Sequence, residues 1–209
     1  MSNNVTSRTT LPRLQNLARR NGFVLVIAAV AIVIQAAGTD AAHALRYERP
    51  AILHGQWWRL LTGNLVHMGW SHLWLNLAGL ALVWLLFKDQ IPLRVWIASL
   101  LVSCLGVGLG LLWWSPHLVW YVGLSGALHG LFVTGAALCV RRGYRFEIVL
   151  LVLVAAKLIY EQNVGPLPGS EEVSGGHVAV DAHLYGAISG ALLVLVPKRW
   201  FAAAGQPGD

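Results

Sequence analysis

Apolar residues in this chain come in long blocks rather than in a stripe recurring every 3.6 residues. Blocks of that kind belong to helices surrounded by lipid or by other helices. The composition agrees: 56% of the 209 residues are hydrophobic and 11% are charged. A soluble domain of this size carries about twice that charged fraction. The expectation is an all-α, polytopic membrane protein with one helical domain and no soluble domain of any size.

Six spans can be drawn, at roughly 22–38, 65–87, 93–114, 121–140, 146–162 and 178–196. Each is near the ~20 residues needed to cross ~30 Å of hydrocarbon, the first and fifth being short. Residues 1–21 and 197–209 then form two cytoplasmic tails, the first basic and mobile. The positive-inside rule sets the orientation. With the N-terminus in the cytoplasm, the inside segments and their borders hold Arg8, Arg13, Arg19, Arg20, Lys88, Arg94, Arg141, Arg142, Arg145, Lys198 and Arg199. The outside loops hold Arg46, Arg49 and Arg59, and Lys157 sits within the fifth span. The net charge of +6 therefore reflects topology and not nucleic-acid binding.

The first span has a second reading. Its basic start, the apolar run from Phe23 to Ala37 and the small-residue site Ala42-His43-Ala44 also fit a cleavable signal peptide. Cys104 and Cys139 both fall in spans and read as small buried apolar residues, with no spacing for a disulfide framework or a metal site. The outside connection 39–64 carries Trp57-Trp58-Arg59, suited to the headgroup layer, and is long enough to be partly embedded. The 163–177 loop is rich in turn formers and reads as flexible: an ordinary solvated connection, or a cover that moves over the span that follows.

Chemistry concentrates in two glycine-rich segments. Residues 121–130 read Tyr-Val-Gly-Leu-Ser-Gly-Ala-Leu-His-Gly, and His183 follows Ser125 by 58 positions in Ala182-His183-Leu184-Tyr185-Gly186-Ala187-Ile188-Ser189-Gly190. Gly123 and Gly126 leave room for another backbone, and Gly126/Gly130 is a small-xxx-small pair that lets helices approach closely. Alone, this serine is equally well a packing serine between glycines. His183 adds the group that serine needs, because a serine is a weak nucleophile until an adjacent base takes its proton. On the expected topology both lie near the outer ends of their spans, and ionisable residues within spans are functional candidates by default. The alternative for His183 is a hydrogen bond between helices.

His72 and Asn76, at i and i+4, share a helix face at the outer end of the second span. Together with the backbone N–H of Ser125 they could hold an oxyanion; otherwise they bond between helices. His129 lies four residues after Ser125, where same-helix geometry aims poorly at Oγ, so it reads as a packing or supporting group. Lys157 could pair with Ser125, but pairing with Glu161 at i+4 or snorkelling accounts for it better. Asp181 is two residues from His183 and faces another way, which favours a dyad over a triad.

These residues resemble the rhomboid family of intramembrane serine proteases. The resemblance rests on Gly123-x-Ser125-Gly126, Ala182-His183-x-x-Gly186-x-x-x-Gly190, His67 with His72-x-x-x-Asn76, and Trp58-Arg59, and covers about residues 55–192. The compact chain and the run ending in His129-Gly130 look most like the rhombosortase subgroup. The resemblance implies a six-helix rhomboid-like bundle in which Ser125 is nucleophile and His183 general base. It also implies that His72 and Asn76 contribute to the oxyanion hole, with no third acidic residue, metal or cofactor. Its implied partners are the bilayer and membrane-anchored protein substrates. For the subgroup these are exported bacterial proteins with a C-terminal Gly-Gly motif, an apolar span and basic residues, which places the enzyme in the bacterial inner membrane with its site open to the periplasm. One departure stands out: many rhomboids carry a tyrosine four residues after the serine, where this chain has His129.

Two other classes compete. A non-catalytic rhomboid-like protein that escorts membrane clients would lack the serine or the histidine, and both are present. A transporter would carry repeated halves or paired broken helices, and the sequence has neither.

Overall fold

The computed structural model describes residues 10–196. The remaining parts of the two tails read as cytoplasmic, 1–9 and 197–209, lie outside the described residues. The chain begins with α1 (Thr10–Ala36), so helix extends well into the stretch read as a mobile tail. At Gly38, whose φ of 84° is a left-handed conformation open to glycine, the chain turns by 118° into α2 (Gly38–Leu45).

The long connection read as lying outside, the outer unit, is folded rather than a plain loop. After α2 come a two-residue strand β1 (Tyr47–Glu48), α3 (Arg49–Leu53), α4 (Arg59–Thr62) and a 3₁₀ turn at Gly63–Leu65. Arg59, 7% exposed, organises it. Its guanidinium donates to the carbonyls of His43 and Arg46 at 2.8 and 2.9 Å and to Gln56 Oε1 at 2.7 Å. One residue thus ties α2, β1 and the start of α4 together. Trp57 and Trp58 remain exposed, as befits interfacial anchors.

Next come α5 (Trp70–Phe87), α6 (Leu93–Trp114), strand β2 (Trp120–Tyr121), α7 (Ser125–Arg141), α8 (Phe146–Asn163), α9 (Ser170–Ser174) and α10 (Val180–Leu193). The second span is shorter as helix than the apolar run implies, because residues 66–69 approach α5 in extended backbone and turns. The fourth begins late, because Trp120 and Tyr121 pair antiparallel with Glu48 and Tyr47. That pairing fastens the outer unit to the chain just ahead of Ser125.

Among the described residues, α5 and α6 are each long and apolar enough to cross a membrane, and the bent α1–α2 pair makes up to three spans. Helix α7 has 17 residues and α10 has 14, short of the ~20 that span hydrocarbon, while α8 carries Glu147, Lys157 and Glu161. Leucines and valines stay exposed along α1, α5, α6, α8 and α10, among them Leu82, Leu101, Leu153 and Leu192. So broad an apolar surface marks an integral membrane protein.

Helices α6, α7 and α10 form the tight centre. A Cβ on Gly186 or Gly190 would strike the carbonyl of Gly126 or Gly130, and one on Gly126 would lie 2.8 Å from the Ala182 carbonyl. The two small-residue pairs therefore face each other across one interface, as their spacing predicts. Thr134 Oγ1 donates to the Gly190 carbonyl at 3.0 Å and accepts from Ser99 Oγ at 2.9 Å, joining all three helices.

Candidate functional site

Ser125 is the first residue of α7, and His183 lies in the first turn of α10. Glycine contacts set the distance between these helices, and at that distance His183 Nε2 stands 3.0 Å from Ser125 Oγ. An imidazole nitrogen so placed can take the hydroxyl proton. The first N–H groups of a helix have no partner four residues back, so the Ser125 amide has no acceptor within α7.

His183 is 6% exposed, and its Nδ1 is 3.0 Å from Glu161 Oε2 on α8. A carboxylate only accepts, so Nδ1 carries the hydrogen and Nε2 is left as the acceptor facing Ser125. The other carboxylate oxygen, Oε1, accepts from Lys157 Nζ at 2.7 Å. The expected i, i+4 pair is present, with a further bond to His183. The same ammonium donates to His129 Nε2 at 3.0 Å, while His129 Nδ1 donates to the Ser125 carbonyl at 2.8 Å. The His129 and His183 rings stack, centroids 4.3 Å apart and 22° from parallel. His129 thus supports the ring beside it, and both of its nitrogens are occupied.

On the opposite side, His72 and Asn76 project from α5 into the cavity that holds Ser125 and His183. His72 Nδ1 accepts from the Met68 amide at 3.3 Å, which leaves Nε2 as its donor. Asn76 Nδ2 spends one hydrogen on the His72 carbonyl at 3.0 Å and keeps the other. Gly123 has φ of 126° and lies against the His72 ring, where a Cβ would be 2.8 Å from Cε1. Tyr121 donates to the Gly123 carbonyl. Gly123 is therefore required twice, for its backbone conformation and for the ring next to it. His67 is buried behind the site, edge-on to His72 at 5.2 Å.

The cavity has a volume of about 310 Å³, is mostly apolar, and lies between α5 and α8. Its lining also includes residues of α9 and His177. The 163–177 stretch that reads as flexible is held by local bonds. Glu171 Oε1 accepts from the Val178 amide and pairs with His177, and Ser174 is buried. Asp181 faces away from His183, as its spacing predicts, accepting from Ser115 Oγ and lying 3.7 Å from His117. Donor atoms of His129, Glu161 and His183 lie within 4.8 Å of one another, a set that suits a divalent cation. The Lys157 ammonium already sits among them.

Sequence reasoning brought forward Ser125, His183, His72, Asn76, His129, Gly123 and Gly126, and all seven gather around this cavity or its supporting interface. It missed the contact of Glu161 with His183. The available signal is an acidic residue inside an apolar span, which the sequence reading uses only as a partner for Lys157.

The chain matches the family model described as Rhomboid domain over residues 54–199. No curated protein matches it. The match covers most of the chain and takes in every residue of the cavity: this chain belongs to the rhomboid family, whose members act on membrane proteins within the bilayer.

Proposed function

We propose that the protein is an intramembrane serine endopeptidase, with Ser125 as nucleophile and His183 as general base. The observation that carries this reading is the 3.0 Å separation of His183 Nε2 from Ser125 Oγ at the wall of an apolar cavity. An escort protein has no need of that pair, and nothing else in the site favours one.

A substrate segment enters between α5 and α8 and unwinds at small residues, presenting a carbonyl carbon to Ser125. As the Oγ–C bond forms, the Oγ proton passes to His183 Nε2. Negative charge moves to the carbonyl oxygen, where the Ser125 amide, His72 Nε2 and Asn76 Nδ2 are the donors. Collapse breaks the C–N bond, and Nε2 returns the proton to the leaving amine. Water then attacks the acyl-enzyme, with His183 again taking and returning a proton. The residues implied by this chemistry need no metal or cofactor.

We further propose six spans with the N-terminus in the cytoplasm and the site open to the periplasmic side of a bacterial inner membrane. The basic residues at 88, 94, 141, 142 and 145 support that orientation. As substrates we propose exported proteins ending in a Gly-Gly motif, an apolar span and basic residues. The support is the sequence likeness to rhombosortases around His129-Gly130. Detergent-solubilised protein, incubated with such a substrate and with a version whose Gly-Gly is replaced by Leu-Leu, is expected to cut the first and spare the second. Equal cutting of both would contradict the Gly-Gly preference and leave the protease reading standing.

A further inference from the structure

We propose that Glu161 completes a Ser125–His183–Glu161 triad as a positioning residue, and that Lys157 determines which way the Glu161 side chain can bond. The inference rests on the serine-protease reading above.

The bonds form a closed circuit through Ser125. From Oγ it passes to His183, Glu161, Lys157 and His129, and it returns to the Ser125 carbonyl through contacts of 3.0, 3.0, 2.7, 3.0 and 2.8 Å. Each link fixes the next. The Ser125 carbonyl accepts only, so His129 is protonated on Nδ1 and offers a lone pair at Nε2. The Lys157 ammonium donates there and to Glu161 Oε1. The remaining oxygen, Oε2, is left for His183 Nδ1–H, which keeps the base's lone pair on Nε2. Glu161 is 3% exposed, which limits the access of water to its carboxylate.

Charge alone is not what this carboxylate contributes. The Lys157 ammonium lies 3.5 Å from His183 Nδ1, nearly as close as Glu161 Oε2 at 3.0 Å. By the inverse-distance law the repulsion offsets most of the attraction felt by an imidazolium. What remains is the tautomer and the orientation of the ring. Glutamine at position 161 would then do worse than a missing charge implies. Its carbonyl oxygen would turn to the ammonium and its NH₂ to His183. Nδ1 would have to become the acceptor and Nε2 the donor, facing Ser125 with no lone pair to take its proton.

The test is labelling of Ser125 by a fluorophosphonate, in which Oγ bonds to phosphorus, fluoride leaves, and His183 takes the proton. Full-length protein in detergent is compared as wild type, Glu161→Gln, Lys157→Met and the double variant, with thermal transitions recorded for each. Glu161→Gln is expected to slow the maximal labelling rate by a factor on the order of 10² to 10⁴, with probe affinity unchanged. In the double variant no ammonium holds the amide, so its carbonyl can turn to Nδ1–H and labelling recovers by about tenfold or more over Glu161→Gln. A purely structural role for Glu161 predicts no recovery when a second residue of the cluster is removed. Wild-type labelling by Glu161→Gln, or a double variant no faster than it, would overturn the proposal. A wild type that neither labels nor cuts any membrane substrate would overturn the protease reading itself, and the triad with it.

Discussion

His129 stands where a second base could have been drawn, and its partners argue against that role. Its Nδ1 is bonded to the Ser125 carbonyl and its Nε2 to Lys157, so neither nitrogen faces the hydroxyl. What it offers His183 is a flat ring at 4.3 Å. A tyrosine can offer the same, so His129→Tyr is expected to retain cleavage within about tenfold of wild type. His183→Ala, which removes the base, should lose a factor on the order of 10² or more. Initial rates on one membrane-spanning substrate check both, and equal losses would return His129 to candidacy as the base. The serine and histidine were legible because their flanking glycines are unusual enough to mark them. Glu161 was not: a pairing rule along one helix stops at the first partner, whereas a carboxylate has two oxygens and here uses them on Lys157 and His183.

Between α7 and α10, geometry is set by what the glycines lack. Gly186 faces the Gly126 carbonyl and Gly190 faces that of Gly130. A methyl group there meets backbone, which cannot rotate away. Gly186→Ala is accordingly expected to push α10 outward and destabilise the protein by about 1–3 kcal/mol. Activity should fall further than stability, since Ser125 and His183 separate with the helices. Thermal unfolding and cleavage rate measured together test this, and an alanine variant with full activity would contradict the close packing. The spacing of these glycines was readable, and so were the apolar runs. The ends of the helices were not, because hydropathy is blind to backbone. It could not tell that Trp120 and Tyr121 leave the apolar run to pair with β1, or that residues 66–69 run extended before α5 begins.

At the scale of the molecule, a glycine-packed centre of α6, α7 and α10 is flanked by α5 and α8, with the outer unit 38–65 pinned to one end by Arg59 and the β1–β2 pair. Close packing of this kind goes with two expected spans, α7 and α10, whose helices are shorter than a bilayer is thick, and it places the Ser125–His183 pair at their ends. The proposed orientation has a direct check. A reporter active only in the cytoplasm, fused after residue 209, should be active, and one inserted between residues 165 and 169 should not; the reverse pattern would invert the topology. The outer unit was the least legible part of the chain, since its helices are short and its organising bonds run from one arginine to distant carbonyls.

The central claim is that Ser125 attacks a substrate carbonyl with His183 taking its proton. It is tested most directly by incubating purified wild type, Ser125→Ala and His183→Ala with a membrane-spanning substrate and locating the products by mass spectrometry. One defined cut near the outer end of the substrate span, made by wild type and lost in both variants, is the predicted result. The same cut made by Ser125→Ala at the wild-type rate would contradict the account.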